Sequence, residues 1–106
     1  MNNQTITSAQ QFNEERFTKI DIIKTKQSVA FVLNFLPGQH MKSHSHPRRE
    51  LFLCVIEGNG TLLVDGKEFE VTKGDVIYCD PEEQIGFKNT SENKVSIYAT
   101  MTKIAD

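Results

Sequence analysis

Hydrophobic and polar residues form short runs along this chain, and no long run has the 3.6-residue period of an amphipathic helix. Residues 17–25 alternate in part, and residues 28–36 are apolar on both faces of an extended strand. Further short apolar runs occupy residues 51–56, 61–64, 68–71, 76–79, 85–88 and 95–101. This pattern predicts an all-β sandwich or barrel, preceded by a short helical turn that Thr7 or Ser8 could cap.

Turn residues separate the apolar runs. Pro37-Gly38 ends the second run, and Asp65-Gly66 is a two-residue hairpin signal because both central positions of a type I′ turn need positive φ. A chain of 106 residues is the size of one domain. We expect residues 1–27 to form a turn and a strand that pack on a barrel core built from residues 28–106.

The charge balance gives no indication of a polyanionic partner. The formal net charge is −2, and lysines and acids are interspersed, so we expect neither nucleic acid nor membrane as a partner. No stretch approaches the roughly 20 apolar residues that span a bilayer, and we expect a cytoplasmic protein. Cys54 and Cys79 lie in apolar runs and are expected to be free, buried thiols, with a Cys-His pair or a thiolate metal ligand as the alternative.

The most specific chemical pattern is His44-Ser45-His46. In an extended strand two residues at i and i+2 share a face and lie about 7 Å apart. Both imidazoles could then reach one metal ion at about 2.1 Å. The alternative is a pair of hydrogen-bonded structural histidines. His40 has the same strand parity as His44, but its position after the turn favours a solvent-facing role.

Three further features accompany this pattern in the order that a known family has them. Gly38 precedes His44 by five intervening residues, the hairpin run ends at Asp65-Gly66, and Gly74-Asp75 opens a later strand. From about residue 28 to residue 101, the chain resembles the small single-domain bacterial cupins. The resemblance implies a jelly-roll β-barrel, a homodimer, and a divalent transition metal (Zn, Fe, Ni, Mn or Cu). In the family that metal is held by His-x-His, by a Glu of the first motif and by a His of the second.

The last two family ligands match less well. Glu50 follows His46 at the family's shorter spacing, whereas counting back from Gly58 puts Leu51 at the ligand position. A bulge at residues 47–49 could turn Glu50 inward. Aligned on Gly86-Phe87, the second-motif His position is Ile85, which has no lone pair. The resemblance therefore implies a metal set of His44, His46 and Glu50.

Two functions remain open at this point. The first is a metal-dependent dioxygenase or isomerase that acts on a small organic molecule, because two His and one carboxylate with open positions suit such chemistry. The second is a metal-free barrel that binds a small molecule without chemistry. Its ligand pocket would be lined by Leu51, Phe52, Ile85 and Phe87.

Charged residues near the expected barrel mouth offer further roles. Arg48 and Arg49 could hold a carboxylate, and Glu82 or Glu83 could act as a general base. Solvated surface charges are the commoner interpretation of all four.

Overall fold

The computed structural model describes residues 1–104, which form nine β-strands and one short 3-10 turn. The elements are the turn Thr7–Ala9, β1 Thr18–Lys24, β2 Ser28–Phe35, β3 His40–His44, β4 Arg49–Glu57, β5 Asn59–Val64, β6 Lys67–Thr72, β7 Val76–Cys79, β8 Ile85–Lys88 and β9 Val95–Lys103.

The strands form two antiparallel sheets that pack face to face. The larger sheet has the order β1-β2-β9-β4-β7 and the smaller has the order β3-β8-β5-β6. The predicted all-β jelly-roll barrel is confirmed. Within residues 1–104, no helix is long and apolar enough to cross a membrane.

Every second side chain along a strand points between the two sheets, and these inward side chains fill the space there. On β4, for example, Leu51, Leu53 and Val55 point inward and are at most 4% exposed. The Phe87 ring from the smaller sheet lies 4.7 Å from that of Phe35 in the larger sheet. These contacts fix the distance between the sheets, because aromatic rings at this separation are in van der Waals contact.

The predicted hairpin turn is confirmed. Asp65 and Gly66 have φ values of 51° and 81°, as a type I′ turn requires, and Val64 pairs with Lys67 across the turn. The break before this hairpin is shorter than expected, because β5 begins at Asn59 directly after Gly58.

The N-terminal segment lies against the larger sheet, and β1 is the edge strand of that sheet. The buried Asn34 side chain donates to the carbonyl of Ala9 at 2.8 Å and accepts from the Ser96 hydroxyl at 2.8 Å. This satisfied polar pair holds the turn in place, since a buried amide without partners would be costly. The boundary between residues 27 and 28 stays a prediction, and residues 105–106 of that second range lie outside the described residues.

Candidate functional site

A cavity of about 180 Å³ opens between the two sheets at one end of the barrel. Its walls are mainly apolar, with Phe31, Leu33 and Leu53 contributed by the larger sheet. His44 and His46 line it as well, together with Lys19 at the mouth. The cavity therefore combines an apolar interior with a few nitrogen groups, as small-molecule sites commonly do.

A β-bulge in β3 decides which side chains reach this cavity. Met41 pairs with Phe87 and His44 pairs with Ile85, so three steps along β3 oppose two steps along β8. The extra residue reverses the alternation, and both Met41 and His44 line the cavity. His40 pairs with the exposed Lys88 and so lies on the opposite face from His44, although both histidines are exposed. The expectation that His40 and His44 lie on the same face of the strand is therefore wrong. The bulge separates them, and the sequence carries no signal for it.

The two imidazoles of the His-x-His pattern lie side by side. Their ring centroids are 4.5 Å apart, with an interplanar angle of 56°. Nδ1 of His44 lies 2.9 Å from the carbonyl oxygen of Lys42. A carbonyl can only accept, so in the neutral ring Nδ1 carries the proton and Nε2 has the free lone pair.

The surroundings of His46 disfavour its protonated form. Burial lowers the pKa of His46 below 6.5. The charges of Arg49 and Lys19 lower it further, as does that of His44 when its ring is protonated. His46 is therefore largely a neutral imidazole at neutral pH, available as a hydrogen-bond partner or as a lone-pair donor.

Glu50 lies away from the two histidines. Its carboxylate accepts a hydrogen bond from the Tyr78 hydroxyl at 3.2 Å. Glu50 also has the parity of Phe52, which is 48% exposed and packs its ring against that of Tyr78 in a tilted arrangement with centroids 5.1 Å apart. The segment 46–49 does turn, with Arg48 at a φ of 64°, but the turn leaves Glu50 facing outward. The expectation that Glu50 joins the metal set and that Phe52 lines the pocket is thus corrected by strand alternation.

The other residues expected in the pocket divide into two groups. Leu51 and Ile85 line the cavity and are 4% and 1% exposed. Phe87 is fully buried in the neighbouring core, against Phe35, and is not part of the cavity wall. Sequence reasoning missed the other seven lining side chains, which are Phe17, Lys19, Phe31, Leu33, Met41, Leu53 and Met101. Their apolar or amphipathic stems gave no distinguishing signal.

The donors at the cavity do not make up a complete metal site. Within residues 1–104, no group of three or more His, Cys, Asp or Glu side chains is placed to hold a metal ion. Two imidazoles are present, and Leu51 and Ile85 occupy the positions where the resemblance implies further ligands. Structural and catalytic metal sites generally use three or four protein ligands. The residues present therefore do not fit the family's full metal set.

Both cysteines are free thiols, as expected. Cys79 is 1% exposed, and burial raises the pKa of its thiol to about 11, with smaller contributions from Glu83 and Asp80. Cys54 is only partly buried. Neither lines the cavity, so a Cys-His pair with His44 or His46 is not formed.

Comparison with known families gives a match over most of the chain. Residues 31–101 match the family model described as a cupin domain. Among curated proteins, the chain is 38% identical over 58 residues to an uncharacterized protein of Methanocaldococcus jannaschii. That match covers 54% of this chain and spans 45% of the length of that relative.

Solved structures share the fold at low sequence identity. The TT1209 protein of Thermus thermophilus superposes with a TM-score of 0.90 at 19% identity, over 99% of this chain and 100% of that one. A cupin protein of Desulfovibrio desulfuricans gives 0.79 at 24% identity, over 93% and 95%. A Thermotoga maritima protein described as a predicted oxalate decarboxylase gives 0.76 at 16% identity, over 89% and 97%. At these identities the likeness concerns the fold.

Proposed function

This chain belongs to the cupin family, and on that premise we propose that it binds a small organic molecule in the apolar cavity between its sheets. One observation carries the proposal: Leu51 and Ile85 form the cavity wall where the family's further metal ligands are expected. What is left is a largely apolar space, open at one end, with two imidazoles and Lys19 as its polar groups. An engineered cavity of roughly 150 Å³ in another protein holds benzene, so a cavity of about 180 Å³ is large enough for a small organic ligand.

His44 and His46 act in this proposal as hydrogen-bonding groups. His44 offers the lone pair of Nε2, because Lys42 fixes its other nitrogen. His46 is neutral at pH 7 and can donate or accept. Two adjacent polar groups in an apolar wall orient a ligand while the wall supplies most of the contact area.

The test is a nuclear magnetic resonance titration with phenylacetamide, a neutral probe whose ring is the size of benzene. We expect backbone amide shifts around the cavity, unchanged by a chelator, in the wild type. The variant Leu51→Phe fills the cavity and should lose these shifts, whereas Phe52→Leu on the outer face should keep them. Chelator-sensitive binding, or shifts that persist in a folded Leu51→Phe protein, would overturn the proposal.

A metal-dependent dioxygenase or isomerase is the second candidate. It is supported by the hydrogen bond from His44 to the Lys42 carbonyl, because metal-bound histidines usually donate their other ring nitrogen in this way. Elemental mass spectrometry on untagged protein, beside the His44→Ala/His46→Ala variant, decides between the two. About one Zn, Fe, Ni, Mn or Cu per chain, lost in the variant, would favour this candidate.

The homodimer, which the resemblance implies, also remains a prediction. The large exposed apolar side chains of the larger sheet are Phe52, Val76 and Tyr78 on β4 and β7. Light scattering coupled to size-exclusion chromatography gives the mass directly.

A further inference from the structure

A second depression adjoins the cavity where the β1–β2 turn, the start of β4 and the end of β9 meet. It has a volume of about 210 Å³, and we call it the basic cleft. Five of the 12 lysines and arginines of the chain line it, and among residues 1–104 Asp21 is its one carboxylate. These five are Lys19, Lys24, Lys26, Arg49 and Lys103. Such a concentration is unexpected in a chain whose formal net charge is −2.

The basic cleft and the apolar cavity are continuous. Lys19 and Met101 line both of them. Arg49 lies two residues before Leu51 on β4, and therefore on the same face at a distance of about 7 Å. Lys103 stands in the same relation to Met101 on β9. On the inner face of the larger sheet, the apolar residues Leu51 and Met101 are thus followed directly by the basic residues Arg49 and Lys103.

Two of the cations oppose each other directly. Arg49 of β4 pairs with Lys103 of β9 in the antiparallel register. Like charges at directly opposite positions destabilise a sheet, and a bound anion would remove that repulsion. Lys19 has a partner, since its ammonium lies 3.2 Å from the Asp21 carboxylate, but both side chains are nearly half exposed. The positive field extends into the cavity, where Arg49 and Lys19 help to lower the pKa of His46.

We infer that the cavity and the basic cleft form one two-part site for a small organic acid. The apolar body of the ligand lies among Phe31, Leu51 and Ile85, and its carboxylate or phosphate group lies between Arg49 and Lys103. This inference rests on the proposed function, because it uses the same cavity, and it adds the class of the ligand. The short distance between the two parts limits the ligand to an anionic group attached closely to its apolar body.

The experiment compares matched probes by the same resonance titration at pH 7.5 and low salt. Phenylacetate carries the charge, phenylacetamide is its neutral counterpart, acetate lacks the ring, and phenyl phosphate replaces the carboxylate. We expect phenylacetate to bind on the order of fivefold to tenfold more tightly than phenylacetamide, from two charge-assisted contacts that are partly exposed to solvent. The preference should vanish in Arg49→Gln/Lys103→Gln and persist in Lys67→Gln/Lys73→Gln, which removes two exposed charges elsewhere. Whichever of phenylacetate and phenyl phosphate binds more tightly identifies the anionic group.

The outcomes separate this inference from the proposed function. Equal affinity for phenylacetate and phenylacetamide in the wild type would overturn the two-part site and leave the binding cavity intact. Acetate binding as tightly as phenylacetate would also overturn it, because the apolar part would then contribute nothing. Absence of cavity shifts with both ring-bearing probes would overturn the proposed function itself.

Discussion

Replacing Ile85 by histidine tests whether this one side chain is what keeps the cavity from holding a metal. Ile85 pairs directly with His44 across β8 and β3, and it lines the cavity. Side chains at directly opposite positions have Cβ atoms about 5 Å apart, within reach of a shared ion. The variant Ile85→His would therefore give three imidazoles on one cavity, which is a ligand set that zinc uses.

The magnitude follows from the burial of Ile85, which is 1% exposed. Removing a fully buried isoleucine costs about 1.5–3 kcal/mol, and the metal-free variant should be destabilised by that amount or slightly more, since an imidazole is polar. A metal present at 100 times its dissociation constant adds about 2.7 kcal/mol to the free energy of unfolding. Saturating Zn²⁺ should thus return the variant approximately to wild-type stability.

Urea denaturation with Zn²⁺ and with a chelator measures both quantities. The variant Ile85→Gln is the matched control, because it introduces a buried polar group without an imidazole and should be destabilised whether or not Zn²⁺ is present. The double variant His44→Ala/Ile85→His should lose the stabilisation by Zn²⁺. If Ile85→His folds but gains no more from Zn²⁺ than the wild type, then the geometry deduced for His44, His46 and residue 85 is refuted.

Three other predictions follow from individual residues. Because the pKa of His46 lies below 6.5 in the folded state, the unfolded chain binds more protons, and the free energy of unfolding should fall as pH drops from about 7 to about 5.5. Denaturation at a series of pH values should give a shallower fall for His46→Gln, and equal slopes would contradict the lowered pKa. A disulfide reagent at pH 8 should modify Cys54 well before Cys79, because the Cys79 thiol is buried and has a pKa of about 11. In the variant Cys54→Ser, the remaining Cys79 thiol should react only after denaturation, and its rapid reaction in the folded protein would count against this. In Gly60→Ala the added methyl group would press on the Phe87 ring and lie 2.9 Å from the Lys88 carbonyl oxygen, so we expect a loss of about 1–3 kcal/mol by urea denaturation. The control Gly66→Asn, in the open type I′ turn, should lower the free energy of unfolding clearly less. If Gly60→Ala lowers it no more than this control does, then packing at Gly60 is not tight.

The fold could be predicted because its signals are local. Short apolar runs separated by turn residues indicate strands wherever they occur, and Asp65-Gly66 determines its turn through positive φ values at both positions. Counting back from Gly58 by the family spacing also indicated Leu51 as a residue of the site, and Leu51 is buried on β4. Each of these predictions depends on a few neighbouring residues and on elementary backbone geometry.

The site could be predicted only in part because it depends on register. One extra residue in β3 brings Met41 and His44 to the same cavity and turns His40 away, and nothing in the sequence His40-Met41-Lys42-Ser43-His44 marks that bulge. Glu50 shows the opposite case. A bulge at residues 47–49 would have turned its carboxylate inward, but the turn at Arg48 leaves Glu50 on the outer face beside Tyr78. An error of one residue exchanges the inner and outer faces, so assignments of ligands are far less certain than assignments of strands.

The distribution of charge over the surface depends on strand register in the same way. Lysines and acids are interspersed along the sequence, which indicated a solvated surface of mixed sign. Folding places Arg49 opposite Lys103, 54 positions apart in number, and brings the β1–β2 turn beside them. The net charge of a chain therefore says little about the field at one site, because long-range strand pairing decides which charges become neighbours. If the repulsion between Arg49 and Lys103 serves an anionic ligand, the variant Arg49→Gln/Lys103→Gln should lose the preference for phenylacetate without losing stability.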